Sequence, residues 1–115
     1  MQSSTSQPLV SVIIPTFDRA AWLGEAIASV LAQTYPHLEL LVVDDGSHDA
    51  TAEVVQAFGP ALTYIQQAHA GVSAARNRGV AASRGALVAF LDSDDMWLPN
   101  KVAAQVAHLQ QQPDA

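Results

Sequence analysis

Two short apolar runs, Leu40-Leu41-Val42-Val43 and Ala86-Leu87-Val88-Ala89-Phe90-Leu91, each end abruptly in acid: Asp44-Asp45 follows the first and Asp92-Ser93-Asp94-Asp95 the second. Runs this short and apolar are buried strands or helix fragments, and their length and β-branching favour strands. If both are parallel strands of one sheet, their carboxylates emerge at the same C-terminal edge, where open α/β sheets bind ligands. Two carboxylates about 4 Å apart repel by roughly 4 kcal/mol at an effective dielectric near 20. Such a site asks for a cation. Oxygen ligands suit Mg²⁺ or Mn²⁺, and an ion of this kind, held by one or two carboxylates plus substrate phosphates, implies a phosphorylated or nucleotide ligand.

The rest of the chain alternates strand-like and helix-like segments, the pattern of βαβ units and a mostly parallel sheet with helices on both faces, a Rossmann-like α/β fold. A strand over 9–14 ends at Pro15, and Asp18 is placed to cap a helix over 19–33 with Leu23, Ile27, Val30 and Leu31 on one face. A second strand covers 38–43. Ser47 or Asp49 is placed to cap the next helix, which Gly59-Pro60 stops. A weaker strand over 62–66, a helix over 73–83 and a fourth strand over 86–91 follow. Asn100 is placed to cap a last helix with Val102, Val106 and Leu109 as its apolar stripe. Right-handed crossovers allow the strand order 3-2-1-4, which brings Thr16-Phe17, Asp44-Asp45 and the acids at 92–95 to one crevice.

With 115 residues, half of them hydrophobic, the chain is one domain with enough apolar surface for a core. It has no cysteine, which removes disulfides, thiolate metal sites and thiol nucleophiles together and makes the cytoplasm the expected compartment, with the inner membrane face left open. A net charge of -6 without a basic stripe argues against nucleic acid as a partner. Residues 1–8 are polar and uncharged, read as a frayed tail rather than a signal peptide. No apolar run approaches the roughly 20 residues that span a bilayer.

Four motifs in order carry a resemblance: Val12-Ile13-Ile14-Pro15-Thr16-Phe17-Asp18-Arg19; Val42-Val43-Asp44-Asp45-Gly46-Ser47 with Asp49 and Thr51; Gly71 and then Ala75-Arg76-Asn77-Arg78-Gly79; and Phe90-Leu91-Asp92-Ser93-Asp94-Asp95. Together they resemble the N-terminal, donor-binding half of family 2 glycosyltransferases, from about residue 9 onward. The resemblance implies a truncated GT-A fold binding a UDP-, GDP- or dTDP-sugar, with a glycan, lipid or protein hydroxyl as acceptor and inversion at the anomeric carbon. It makes Asp94 the first metal ligand, with Asp92 on ribose or metal and Asp95 close by. Asp44 and Asp45 become base-binding acids, Asp45 favoured. Pro15, Thr16 and Phe17 line the base site, Arg76 reaches toward the diphosphate, and Ser93 lies beside the donor. His69 stands where the family often has Asn.

Blander readings remain open beside these. The acids at 92–95 also fit a solvated turn, Asp44-Asp45-Gly46-Ser47 an ordinary turn, Phe17 a core aromatic, and Arg78, His37, His48 and His108 surface positions. The carboxylate base that inversion requires is expected beyond residue 115, and the last strand is expected to present an open edge prone to self-association. Two rival functions share pieces of the pattern. A phospho-aspartate phosphatase would use Asp92 and Asp94 but opens its chain with that strand, and a receiver-like domain wants its acid pair after the first strand and a Lys after its last. A non-catalytic nucleotide-binding remnant is the third.

Overall fold

All seven residues of β1 (Val10–Thr16) are buried, as a strand flanked on both sides and covered on both faces must be. The structure, a computed structural model, describes residues 7–111. Along the chain follow α1 (Ala20–Leu31), β2 (Leu38–Asp44), α2 (Thr51–Gln56), a 3₁₀ turn (Gly59–Ala61), β3 (Thr63–Gln66), α3 (Val72–Ala82), β4 (Leu87–Phe90) and α4 (Lys101–Gln111). The strands form one sheet ordered β3-β2-β1-β4, with every pairing parallel. This is the expected order, and the chain builds outward from β1 to β3 before crossing to β4 on the other side.

Because the direction of winding reverses between β1 and β4, the helices divide between the two faces. Val10, Val12 and Ile14 pack with Leu40 and Val42 against Leu23, Ala26, Ile27 and Val30 of α1, Val55 of α2, and Val102 and Val106 of α4. On the other face Ile13, Leu41 and Val43 meet Ala75 of α3. Gly79 lets α3 lie close to the sheet, since a Cβ there would come within 2.6 Å of Ile13 Cγ2. Two expected core positions are exposed. Leu31 is 40% exposed because it lies about 80° around the helix from Leu23 at 100° per residue. Leu109 shares the phase of Val102 and Val106, but it is 47% exposed because the cluster that receives them does not reach the last turn.

The strand and helix limits differ from expectation where a bond crosses between segments. β1 continues through Pro15 instead of ending there. Leu91 N donates to the Ile13 carbonyl at 3.0 Å and Asp45 N to the Thr16 carbonyl at 2.9 Å, so odd residues of β1 face β4 and even ones face β2. The N–H that Pro15 lacks would therefore point to the β4 side, where pairing stops. Asp18, expected to cap α1, has φ 50° and accepts instead from His48 N at 2.7 Å. The α1 N-terminus is met by Asp49 Oδ2, 3.1 Å from Ala20 N. Asp49 rather than Ser47 also serves α2, its Oδ1 accepting from Thr51 N at 3.0 Å and from the Thr51 hydroxyl. In α4 the Val102 N–H goes to Gln33 Oε1 at 3.0 Å. Of the expected tail, residues 1–6 lie outside the described residues, while the Pro8 carbonyl accepts from the Tyr35 hydroxyl and that of Gln7 lies 2.7 Å from His37 Nδ1.

Candidate active site

The C-terminal ends of β1, β2 and β4 open onto a cleft of about 380 Å³. Its walls include Pro15, Thr16 and Phe17 after β1, Asp45 after β2, and Asp92, Ser93 and Asp94 after β4. It lies between β1 and β4, where the winding reverses and α/β sheets bind ligands. The missing Pro15 donor contributes here, because β4 and the acids beyond it part from β1 at that point.

Asp44 and Asp45 are both 3% exposed but do different work. Successive residues of a strand project to opposite faces. Asp44 turns to the α2 side, where it accepts from Ser47 N at 2.9 Å and from the Tyr64 hydroxyl. It holds the turn and does not line the cleft. Burial raises the Tyr64 pKa, and the Asp44 carboxylate beside it raises it further.

Asp45 turns to the α3 side. Its Oδ1 accepts from Gln67 Nε2 at 2.9 Å and Ala70 N at 2.8 Å, and its Oδ2 from Gly71 N at 2.9 Å. His69 Nδ1 lies 3.0 Å from the same Oδ2. Burial pushes the Asp45 carboxyl up, but the bonds from Gln67, Ala70 and Gly71 and the nearby His69 outweigh it and the net shift is down. Gly71, with φ 104°, is the α3 N-cap and turns its N–H into this carboxylate.

Phe17 is 36% exposed, so it is not a core aromatic. Its ring lies 4.3 Å from that of His69 at 33° and meets His48 edge-on at 6.4 Å. Thr16 is 3% exposed, and its Oγ1 is buried without a hydrogen-bond partner. A buried hydroxyl left unpaired at the wall of a cleft is a group held for a ligand or a water.

Asp92, Asp94 and Asp95 are all exposed, and each offers an oxygen within 4.8 Å of the others. An all-oxygen donor set that converges this closely fits Mg²⁺ or Mn²⁺. Asp95 N donates to the Asp92 carbonyl at 3.0 Å, a turn that folds the three together. Arg76, on α3, is not part of the lining. It places a guanidinium nitrogen 3.4 Å from Asp92 Oδ1 and its guanidinium carbon 5.9 Å from the Phe90 ring centre, and leaves Nε buried and unpaired.

Sequence reasoning missed Arg19, Val72 and Ala75 in the cleft wall and Gln67 as a donor to Asp45. Arg19 had a signal, a cation directly after the first strand-end motif. Gln67 had only an indirect signal, its place just past a third strand expected beside the second.

The sequence model for glycosyl transferase family 2 matches residues 11–115. The chain belongs to glycosyl transferase family 2. As a family 2 member it is 39% identical over 106 residues to an uncharacterized glycosyltransferase of Rickettsia typhi, covering 92% of this chain and 33% of that protein. Among solved structures it is similar to TarS 1-349 of S. aureus in complex with UDP-GlcNAc, with a TM-score of 0.81 and 28% identity over 89% of this chain and 31% of that one. It is also similar to the mannosyltransferase PcManGT of Pyrobaculum calidifontis in complex with GDP-Man and Mn²⁺, with a TM-score of 0.73 and 29% identity over 85% of this chain and 31% of the other. Thus the chain spans about a third of the length of these relatives. The fold is GT-A, as the resemblance implied, and the phosphatase and receiver readings fall to this family assignment. No helix among the described residues is long and apolar enough to cross a membrane.

Proposed function

We propose that residues 9–115 form the nucleotide-sugar-binding part of an inverting, cation-assisted glycosyltransferase, which moves a sugar from a UDP-, GDP- or dTDP-sugar to a glycan, lipid or protein hydroxyl. The observation that carries this reading is one cleft holding a buried anionic acceptor, Asp45, an exposed aromatic face, Phe17, and the acids Asp92 and Asp94. An ionised carboxylate at the inner wall suits a ring N–H of a base, and the Phe17 face suits stacking. The bound UDP-GlcNAc of TarS and the GDP-Man and Mn²⁺ of PcManGT support the same ligand class here.

Asp94 and Asp92 would hold the divalent ion, with Asp95 beside them, and Ser93 would lie against the donor. When bound, the ion supplies Lewis-acid stabilisation of charge growing on the leaving diphosphate. Arg76, outside the cleft wall, adds positive charge behind Asp92 and would act on the diphosphate through its field. The Thr16 hydroxyl fits a polar edge of the nucleoside. Inversion also needs a base for the acceptor hydroxyl. We assign that role to none of the cleft's carboxylates, since Asp45 is committed to its donors and Asp92 and Asp94 to the cation.

Calorimetric titration of the chain with UDP, GDP and dTDP, each with and without Mn²⁺, tests the reading. One nucleotide is expected to bind in a metal-dependent way, and Asp94→Ala to abolish that dependence with an unchanged circular dichroism spectrum. Unchanged binding by the variant would sink the metal assignment. No binding of any nucleotide by the folded chain would overturn the proposal.

A further inference from the structure

The carboxylate of Asp45 accepts three hydrogen bonds and is crowded by a fourth group. Oδ1 takes Gln67 Nε2 and Ala70 N at 2.9 and 2.8 Å and Oδ2 takes Gly71 N at 2.9 Å, while His69 Nδ1 stands 3.0 Å from Oδ2 and bonds to the Asp45 carbonyl at 3.1 Å. A carboxylate has about four lone-pair sites, so one remains on Oδ2, and the His69 ring 3.0 Å away stands where a ligand N–H would have to approach it. Ala70 and Gly71 offer backbone amides fixed by the start of α3. Gln67 is anchored by its own N–H on the Asp44 carbonyl at 2.9 Å and does not line the cleft. His69 does line it, and its side chain is 59% exposed. It is the group that can move.

The same ring covers the second half of the site. His69 lies over Phe17 with ring centres 4.3 Å apart, on the aromatic face that a base would need. Its Nδ1 faces only acceptors, Asp45 Oδ2 and the Asp45 carbonyl at 3.1 Å, so Nδ1 carries the hydrogen. An imidazole that donates N–H to the Asp45 carbonyl, beside its carboxylate, while stacked on Phe17 occupies the site much as a planar base with a ring N–H would.

We infer that His69 is a built-in competitor for the nucleobase and thereby a specificity-determining residue. The inference rests on the nucleotide reading of the cleft. For a base to enter, His69 must swing out, and only a base with a ring N–H can donate to the carboxylate oxygen so uncovered and offset the bond that the Asp45 carbonyl gives up. Uracil, thymine and guanine present one. Cytosine and adenine present a ring lone pair at the corresponding edge, which would face the carboxylate oxygens, so they leave His69 in place. Holding the open state at a minor fraction lowers apparent affinity by that fraction.

The test compares the chain with its His69→Ala variant in calorimetric titrations with UDP and CDP, alongside proton NMR of the His69 ring. The variant is expected to bind UDP about three- to tenfold more tightly, the range set by one net hydrogen bond, and to gain less for CDP. In the unsubstituted chain, saturation with UDP is expected to remove the ring-current shift that Phe17 imposes on His69. Weaker UDP binding by the variant, or a His69 signal that does not move at saturation, would overturn the inference while leaving the nucleotide reading intact. Failure of UDP to bind either protein would overturn both.

Discussion

Adjacent acids with the same burial divide into one that builds the loop and one that faces the ligand. Asp44 ties the turn at Ser47 to Tyr64 of β3, and Asp45 gathers donors from the segment that leads into α3. Substitution by Asn removes the charge from each and should separate the two roles. Asp44→Asn is expected to lower stability by about 1.5–3 kcal/mol, the scale of hydrogen bonds to a charged group, with nucleotide affinity unchanged. Asp45→Asn is expected to cost a comparable amount and also to weaken UDP binding at least tenfold. Urea unfolding and calorimetry on the same preparations check both, and equal losses of UDP affinity in the two variants would erase the distinction. The resemblance favoured Asp45 over Asp44 for the ligand, but the structural task of Asp44 becomes visible only once alternation along β2 and the position of α3 are known together.

At the scale of elements, the strands were legible because each is a short run of apolar or β-branched residues bounded by turn residues, and the sheet order agreed with right-handed crossovers. What escaped was bonding between segments distant in the chain. Local capping rules compare near neighbours, whereas Ala20 N finds Asp49 and Val102 N finds Gln33. Close packing was equally hidden. Gly79 reads as a weak helix residue, yet it is where α3 lies on β1, and Ile13, fully buried, has no room to retreat from a Cβ. Gly79→Ala is therefore expected to destabilise by about 1–2 kcal/mol, overpacking outweighing the roughly 1 kcal/mol gained in helix propensity. Gly24, in α1, is the counterpart. A Cβ there would sit an ordinary 3.7 Å from Val54 Cγ1, so Gly24→Ala should stabilise by up to about 1 kcal/mol. Thermal unfolding of the two variants should show Tm shifts of opposite sign.

For the whole molecule, ionised carboxylates tie both ends of the sheet. At the N-terminal end Glu39 accepts from the Ser11 hydroxyl, from Arg84 N at 2.7 Å and from Arg84 Nε at 3.3 Å, while Gly85 N donates to Ser11 Oγ at 2.8 Å. This links β2, β1 and the turn into β4. At the other end stand Asp45 and Asp49. Burial raises the Glu39 carboxyl, but the bonds from Ser11 and Arg84 outweigh it and hold it below its ordinary value. For Asp49 the Thr51 hydroxyl bond leads the downward shift, and Asp45 is lowered by its ring of donors. Because each folded-state value lies below the unfolded one, this stability is fully present above the unfolded values near pH 4 and is lost as pH falls through the folded ones. Urea midpoints measured from about pH 7 down to about pH 3 should hold level and then fall. Glu39→Gln should lower the midpoint at neutral pH and flatten its fall in acid, since one of the three carboxylates that take up protons on unfolding is gone. Parallel curves for the two proteins would show that Glu39 has no share in the acid response and would leave that response to the cleft end of the sheet.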